Sequence, residues 1–184
     1  MTKIVAFGAS NSKNSINKKL ATFAAHQIEN AEVTILDLND FEMTIYGIDK
    51  ENESGIPALA HQFKTHLKNA DGIIISFAEH NGAYSVAFKN IMDWISRLEG
   101  STWEDKPMFL LATSPGARGG QTVLEIAVNK FQHMNENTIT SFSLPSFGQN
   151  FSEENGITEE ELLNSFSEQL KIFTLVVNQV NRVE

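Results

Sequence analysis

Five short apolar runs alternate with stretches whose apolar residues recur at helical spacing, and this alternation limits the fold more than any other feature. The runs cover residues 4–7, 33–38, 73–77, 108–112 and 139–144. The first, third and fourth are continuously apolar, which is typical of strands covered on both faces. The second and fifth alternate more with polar residues, which favours the edges of a sheet.

The stretches between the runs predict helices. Helical periodicity is found over residues 16–28, 59–67, 87–98, 123–131 and 162–180. A strand followed by a helix, repeated five times, predicts an α/β fold with a parallel sheet, right-handed crossovers and helices on both faces. With 184 residues, 41% of them hydrophobic, we expect one domain over residues 1–184.

Two long connections interrupt this pattern. The polar stretch 40–55 predicts an irregular surface excursion, and residues 142–155 predict another long connection. The last helix is expected to begin with a capping box over TEEE, residues 158–161.

The composition excludes several classes of site. No cysteine is present, so disulfides, thiol catalysis and cysteine-ligated metals are excluded. The five histidines show no clustered spacing with carboxylates, and we expect no metal site. A formal net charge of −9 would repel nucleic acid. The first apolar run is too short for a signal peptide and no apolar stretch could span a bilayer, so a cytoplasmic protein is expected.

Three loops rich in Gly, Ser and Asn follow the first, third and fourth predicted strands. They are residues 8–17 (GASNSKNSIN), 78–84 (AEHNGAY) and 113–121 (TSPGARGGQ). Ligands of open α/β sheets bind beyond the carboxyl ends of the strands, where the strand order reverses. We therefore expect these loops to form a binding site.

The first loop has the composition of a phosphate cradle. It leads into a helix, whose N-terminus offers free backbone N–H groups and a positive dipole end. Ser10, Ser12 and Ser15 add hydroxyls, Asn17 adds an amide and Lys13 adds a charge. Neither G-x-G-x-x-G nor G-x-x-x-x-G-K-[ST] is present. The alternative is that Ser15 only caps the helix and the other polar residues are solvated.

Together the three loops resemble the NADPH-dependent FMN reductases, a flavodoxin-like family that includes quinone, azo-dye and chromate reductases. The first resembles Gly-Ser-x-Arg-x-x-Ser-x-Asn, here ASNSKNSIN over residues 9–17. The second resembles Pro-Glu-Tyr-Asn-Gly and then Leu-Lys-Asn-x-x-Asp-Trp, here AEHNG over 78–82 and FKNIMDW over 88–94. The third resembles Ser-x-Gly-x-x-Gly-Gly, here SPGARGG over 114–120.

This resemblance implies a flavodoxin-like three-layer sandwich with a five-stranded parallel sheet of order 2-1-3-4-5. It also implies FMN as cofactor and NADPH or NADH as reductant. The implied cofactor-binding residues come from all three loops: Ser10, Ser12, Lys13, Ser15, Ile16 and Asn17 at the phosphate, Ala78, Glu79, His80, Asn81 and Gly82 at the isoalloxazine ring, and Ser114 and Gly116 closing the site.

Three positions depart from the family pattern. Ser12 stands at the Arg position, which leaves Lys13 as the neighbouring cation for a phosphate. Ala78 stands for Pro, and His80 stands for Tyr. No residue is assigned to catalysis with certainty, but His80 could protonate a reduced quinone-like product near neutral pH. Its alternative is an exposed loop residue without a role.

The helix after the second loop predicts an oligomer. Tyr84, Phe88 and Met92 form an apolar row besides the core stripe, and a helix apolar on two sides is usually buried on two sides. We expect a homodimer, or a tetramer, built on this helix, as the resemblance also implies. The alternative is that Tyr84 and Phe88 pack under the 142–155 connection.

Three functions remain open at this point. The leading one is an FMN-dependent NAD(P)H oxidoreductase that reduces quinones, free flavin or similar acceptors in two ping-pong half-reactions. A second is a flavodoxin-type electron carrier, since an acidic surface suits docking on basic partners. A third is a flavin-free binding module that keeps the fold, because fold alone does not decide function.

Overall fold

The structure, a computed structural model, describes residues 1–180. Its centre is a five-stranded parallel sheet made of β1 (Thr2–Ala9), β2 (Ala31–Leu36), β3 (Gly72–Phe77), β6 (Met108–Thr113) and β7 (Ile139–Leu144). The strands β4, β5, β8 and β9 have two residues each and form two small separate pairs. The order of the strands in the five-stranded sheet is β2-β1-β3-β6-β7. This is the predicted order 2-1-3-4-5, and the flavodoxin-like fold is confirmed. Residues 181–184 of the expected domain lie outside the described residues.

Helices lie on both faces of the sheet. They are α1 (Ile16–His26), α2 (Ile48–Ser54), α3 (Ala58–Asn69), α4 (Val86–Ile95), α5 (Gln121–Gln132), α6 (Phe147–Asn150) and α7 (Glu160–Val180). No helix within residues 1–180 is both long and apolar enough to cross a membrane.

The sheet divides the core into two apolar clusters, because successive strand residues point to opposite faces. In β1, Val5 and Phe7 belong to the cluster packed by α3, α4 and α5. Ile4 and Ala6 belong to the cluster packed by α1 and α7. Both faces of the central strands are therefore buried, which explains their continuously apolar sequences.

The polar stretch after the second strand is more regular than predicted. It contains α2 and, before it, a 3-10 helix over Leu38–Phe41. The strand ends at Leu36 instead of residue 38 because Asp37 caps that 3-10 helix, accepting a hydrogen bond from the Asn39 backbone at 2.9 Å.

The connection expected over residues 142–155 is also more structured than predicted. It begins with the end of β7, continues as α6 and ends in an antiparallel pair of β8 (Phe151–Ser152) and β9 (Gly156–Ile157). The capping box expected at residue 158 is wrong. Glu159 caps α7 instead, since its carboxylate accepts from the backbone N–H of Leu162 at 2.7 Å.

Candidate functional site at the carboxyl edge of the sheet

The three Gly/Ser/Asn-rich loops meet at one edge of the sheet. Gly8 is level with Ser76, and Phe77 with Ala112, so β1, β3 and β6 end side by side. The loops that follow these strands are therefore neighbours, as their order in the chain predicted.

Asn17 joins α1 to two of these strands. Its Oδ1 accepts hydrogen bonds from Ser76 Oγ at 2.7 Å and from the Thr113 backbone N–H at 3.0 Å, and its Nδ2 donates to the Thr113 carbonyl at 3.1 Å. Only 3% of Asn17 is exposed. The Asn17 side chain, which was predicted to hold a phosphate, is thus hydrogen-bonded to β3 and β6. Only the backbone N–H of Asn17 is left to bind a ligand.

The first loop presents a set of unused backbone donors. Five N–H groups of this loop have no protein acceptor among residues 1–180: those of Asn11, Lys13, Asn14, Ile16 and Asn17. They lie before and within the first turn of α1, where the helix dipole is positive. This arrangement suits an anion with several oxygens.

The serines of the loop keep their hydroxyl hydrogens available. Ser10 Oγ accepts from the Ser12 backbone at 3.1 Å, and Ser15 Oγ caps α1 by accepting from the Lys18 backbone at 3.1 Å. Each oxygen acts as an acceptor, so each O–H remains free to donate to a ligand. Ser12 and Lys13 are exposed. The cap predicted for Ser15 is therefore present, but the other polar residues are not all solvated, since Ser10 and Asn17 are buried.

Gly8 allows α1 to start this close to the sheet. A Cβ on Gly8 would lie 2.4 Å from the Lys18 backbone nitrogen, which no side chain tolerates. The absence of a side chain places the first turn of the helix directly over the end of β1.

The second loop forms a small hairpin. β4 (Glu79–His80) pairs antiparallel with β5 (Ala83–Tyr84), and Asn81 and Gly82 form the turn with φ of 53° and 76°. Positive φ at both central residues is the type I′ geometry that Asn-Gly favours. The hairpin was not predicted, although the Asn-Gly pair is its sequence signal.

Glu79 ties this hairpin to α5. Its Oε2 accepts from the Val123 backbone N–H at 3.1 Å. The cap position of α5 is Gly120, which has no side chain to offer, so Glu79 takes the capping role from a different loop. The second and third loops therefore hold each other in place.

The third loop is held by hydrogen bonds from the segment that follows β7. The Ser114 and Gly116 carbonyls accept hydrogen bonds from the backbones of Phe147 at 3.0 Å and Ser146 at 2.9 Å. Ser114 Oγ donates to the Gly116 carbonyl at 3.3 Å, and Arg118 donates to Thr122 at 2.7 Å. The loop that follows β7 thus supports the two residues predicted to close the site.

His80 is exposed and lines a cleft that the first and second loops border. Asn11 lines it on one side, and Phe41 and Met43 line it on another. The segment of Met43 is rigidly held, because Asn90 donates to the Met43 and Thr44 carbonyls and Trp94 Nε1 donates to Thr44 at 2.8 Å. This wall of the cleft was missed by sequence reasoning, which treated the segment as irregular.

The row predicted to form a dimer contact belongs to the core instead. Phe88 has no exposed surface and Met92 has 7%, so neither can touch a partner. Phe88 packs on Phe77 and stacks on Trp103, while Tyr84 is half-buried against Phe77. The alternative, packing under the 142–155 connection, is also wrong. What α4 does expose is Val86, with 68% of its surface accessible.

Ser85 is a positioning residue that the sequence analysis missed. It caps α4 by accepting from the Phe88 backbone at 3.2 Å, and its hydroxyl donates to the Ala9 carbonyl at 2.8 Å. One side chain therefore fixes the start of α4 to the end of β1. A serine before an apolar helical stripe is the signal that could have revealed the cap.

Two ionisable groups beside the site have shifted pKa values. Burial alone would raise the pKa of the Asp37 carboxyl, but hydrogen bonds from Lys18, at 2.5 Å, and from Asn39 bring that pKa below its usual range. Burial raises the pKa of the Tyr84 phenol to about 12, so it stays neutral at physiological pH.

Within residues 1–180, no group of three His, Asp or Glu side chains could hold a metal ion.

Quinone reductases are among the known proteins that this chain resembles in sequence. A quinone reductase of Escherichia coli K12 is 32% identical over 79 residues, which is 43% of this chain and 42% of the relative. A 2-hydroxy-1,4-benzoquinone reductase of a Burkholderia species is 31% identical over 119 residues, which is 64% of this chain and 63% of the relative. The matched part is thus less than two thirds of the length of either relative.

The fold has solved counterparts of nearly the same extent. The flavoenzyme NAD(P)H:(acceptor) oxidoreductase FerB from Paracoccus denitrificans superposes with a TM-score of 0.77 and 21% identity, covering 97% of this chain and 98% of FerB. The family model of the NADPH-dependent FMN reductases matches residues 2–149, a stretch that contains all three loops of the site. The chain therefore belongs to the NADPH-dependent FMN reductase family.

Proposed function

We propose that this protein binds FMN at the carboxyl edge of its sheet and uses NADPH or NADH to reduce quinones, free flavin or similar small acceptors. The observation that supports this most is the set of five unpartnered backbone N–H groups around the first loop. A phosphomonoester dianion offers enough acceptor oxygens to pair with them. Family membership and the quinone reductases among the relatives point to the same chemistry.

The first loop would hold the FMN phosphate. The hydroxyls of Ser10, Ser12 and Ser15 add donors to the backbone N–H groups, and Lys13 adds the charge that the family takes from an arginine. Ile16 and Asn17 would contribute backbone N–H groups from the first helical turn. The residues present therefore fit the group through many neutral donors and one flexible cation.

The second and third loops would hold the isoalloxazine ring. Backbone groups of Ala78, Glu79 and the Asn81-Gly82 turn can pair with the alternating donors and acceptors of its pyrimidine edge, and Ser114 and Gly116 would close the other side. Bound flavin supplies the hydride chemistry, and the protein orients it and excludes competing reactions.

His80 would act on the acceptor, as a proton donor. It is exposed, it belongs to the hairpin, and it lines the cleft next to the first loop. A reduced quinone gains two protons, and a histidine can give one near neutral pH. Turnover measured against pH for the native protein and for His80→Gln tests this role. Superimposable profiles would remove His80 from the mechanism.

The phosphate cradle is tested by comparing FMN with riboflavin, which lacks the phosphate. Calorimetric titration should give an affinity for FMN at least about 100-fold above that for riboflavin, since several charge-assisted hydrogen bonds are involved. Ser10→Ala should reduce this ratio, while the exposed Ser54→Ala should leave it unchanged. Equal affinities for the two flavins would contradict the proposal.

We further propose a homodimer, although not through the row predicted from the sequence. The exposed apolar residues beside the cleft are Val86 on α4, with 68% of its surface accessible, and Ile45 in the wall of the cleft, with 73%. Both line a shallow depression with Ala83 and Lys89. A second copy covering this patch would also cover the mouth of the cleft.

The chain is proposed to act as one domain and, because it would consume NAD(P)H, to work in the cytoplasm.

A further inference from the structure

A second groove runs along the outer side of α1, starting at the phosphate loop. Lys13 and Ser15 line its beginning, Lys19 and Phe23 line its middle, and Phe151 lines its opposite wall. It encloses about 410 Å³, within the range of small-molecule sites. The groove lies outside the cleft of His80, and it shares only its beginning, at Lys13 and Ser15, with the proposed phosphate site.

The floor of the groove is aromatic and firmly held. Phe151 stacks on Phe147 with ring centroids 4.7 Å apart, and Phe23 meets Phe151 edge-on at 5.6 Å. Gly156 is packed so tightly on Phe23 that a Cβ would lie 2.1 Å from its ring. Phe23 and Phe151 are nevertheless only half-buried. Each therefore keeps ring surface on which a flat heterocycle could stack.

Three lysines, Lys13, Lys18 and Lys19, line the groove together with one carboxylate, Glu153, although the whole chain has a net charge of −9. Lys18 bonds Asp37 and Lys19 bonds Glu153, both at 2.5 Å. Lys13 has no ion pair among the described residues. An anion entering from the phosphate loop would therefore meet Lys13 first and then Lys19.

The groove begins where a bound FMN phosphate would end. FMN stops at that phosphate, whereas FAD continues from it through a second phosphate to adenosine. We propose that the site also accepts FAD, with its adenylate half in the α1 groove. Lys13 and Lys19 face the second phosphate, and the adenine stacks on Phe151. This inference rests on the proposed flavin site and extends it from a mononucleotide to a dinucleotide.

Calorimetric titration of the flavin-free protein with FMN and FAD tests the inference. FAD is expected to bind within about tenfold of FMN. Phe151→Ala should weaken FAD about tenfold to 100-fold, the loss expected when a stacked base loses its aromatic partner, and leave FMN within about twofold. Leu175→Ala, an exposed apolar residue on α7 away from the groove, is the matched control and should change neither affinity.

A charge-reversal variant tests FAD affinity independently, because it leaves the aromatic packing of the groove unchanged. Lys19→Glu places a carboxylate beside Glu153 and should weaken FAD at least about tenfold, again with FMN unchanged. Equal losses of FMN and FAD in both variants would overturn the inference. So would an FAD affinity more than about 100-fold below that for FMN in the native protein.

Titrating the FMN-loaded protein with adenosine 2′,5′-bisphosphate and AMP shows whether the groove takes the adenylate of FAD or that of NADPH. If the bisphosphate binds the FMN-loaded protein through Phe151 and FAD does not bind at all, the groove takes the adenylate of NADPH and the inference is wrong. If neither flavin binds, the proposed function fails as well. If FMN binds and FAD does not, the inference is wrong and the proposed function still stands.

Discussion

At the scale of single residues, Asn17 has the largest structural role at the site. Its amide makes three hydrogen bonds that connect α1 with β3 and β6. Thr113 extends the chain of contacts, since its hydroxyl donates to the Leu144 carbonyl at 2.7 Å. The residue that matches the family motif thus holds together the ends of α1, β3 and β6 at the candidate site.

Replacing Asn17 by Ala should destabilise the protein by about 2–4 kcal/mol, because buried polar groups of Ser76 and Thr113 would lose their partner. Urea unfolding of the variant measures this loss. Asn14→Ala, an exposed position in the same loop, should stay within about 0.5 kcal/mol of the native protein. If Asn17→Ala were equally stable but lost FMN affinity, the amide would act on the ligand instead.

Asp37 predicts how stability responds to acid. Its folded-state pKa lies below the unfolded value of about 3.9, so its stabilising effect is complete above that value and is lost as pH falls through the folded pKa. As pH falls from about 5 to 3, the urea midpoint of the native protein should therefore decrease more than that of Asp37→Asn. Asp40→Asn, an exposed neighbour, should retain the native pH dependence, and identical behaviour of the two variants would contradict this account.

Residue types and their order predicted where a ligand would bind, but not which side-chain atoms remain available. The serine hydroxyls of the first loop could be anticipated from local capping rules. The burial of Asn17 could not, because its partners Ser76 and Thr113 lie far away along the chain. For the same reason the sequence could not tell that Phe88, at helical spacing on an apolar side, faces Trp103.

At the scale of elements, the hairpin of β4 and β5 and the helix α5 form one unit. Glu79 joins them as a cap from outside the helix. The hairpin turn and the glycines before α5 use positive φ, with values of 53° and 76° at Asn81 and Gly82 and 74° at Gly120. The second and third loops are therefore set by backbone geometry together with a single carboxylate.

Glu79→Ala should cost about 1 kcal/mol, the usual loss of a helix cap, and should weaken FMN binding because the hairpin loosens. Glu79→Gln keeps an acceptor oxygen and should restore most of both properties. Unfolding in urea and FMN titration of the two variants test this. If the Gln variant were as impaired as the Ala variant, the negative charge and not the hydrogen bond would be what matters.

All five strands of the main sheet and the helices that follow them could be predicted, because short apolar runs alternate with stretches of helical periodicity. The unpredicted elements are short: the pairs β4–β5 and β8–β9, the 3-10 helix, α2 and α6. Periodicity needs about two helical turns or several strand residues to become visible, and these segments are shorter or polar. Tertiary hydrogen bonds hold two of them: Arg97 donates to Glu51 of α2 at 2.9 Å, and Glu79 of the β4–β5 hairpin accepts from Val123 at 3.1 Å.

At the scale of the whole molecule, the proposed homodimer depends on the exposed patch of Ile45 and Val86. Val86→Glu should give a monomer by light scattering at micromolar concentration, since a buried unpaired carboxylate is costly. Leu175→Glu, which changes an exposed apolar residue on α7, should keep the native mass. A native protein of monomeric mass would end the dimer proposal.

The reductase account also separates this protein from an electron carrier. A carrier must present its flavin to a protein partner, whereas a reductase also needs a cleft for its small acceptor, which the cleft beside His80 could provide. The electron source decides between them, because only the reductase needs a site for nicotinamide.

The most direct measurement is the visible spectrum of the FMN-loaded protein under anaerobic conditions when NADPH is added alone. Our account predicts that the absorbance of oxidised flavin disappears without any protein partner and returns when a quinone is supplied. A protein that takes up no FMN, or whose bound FMN is unchanged by NADPH and NADH, would contradict it.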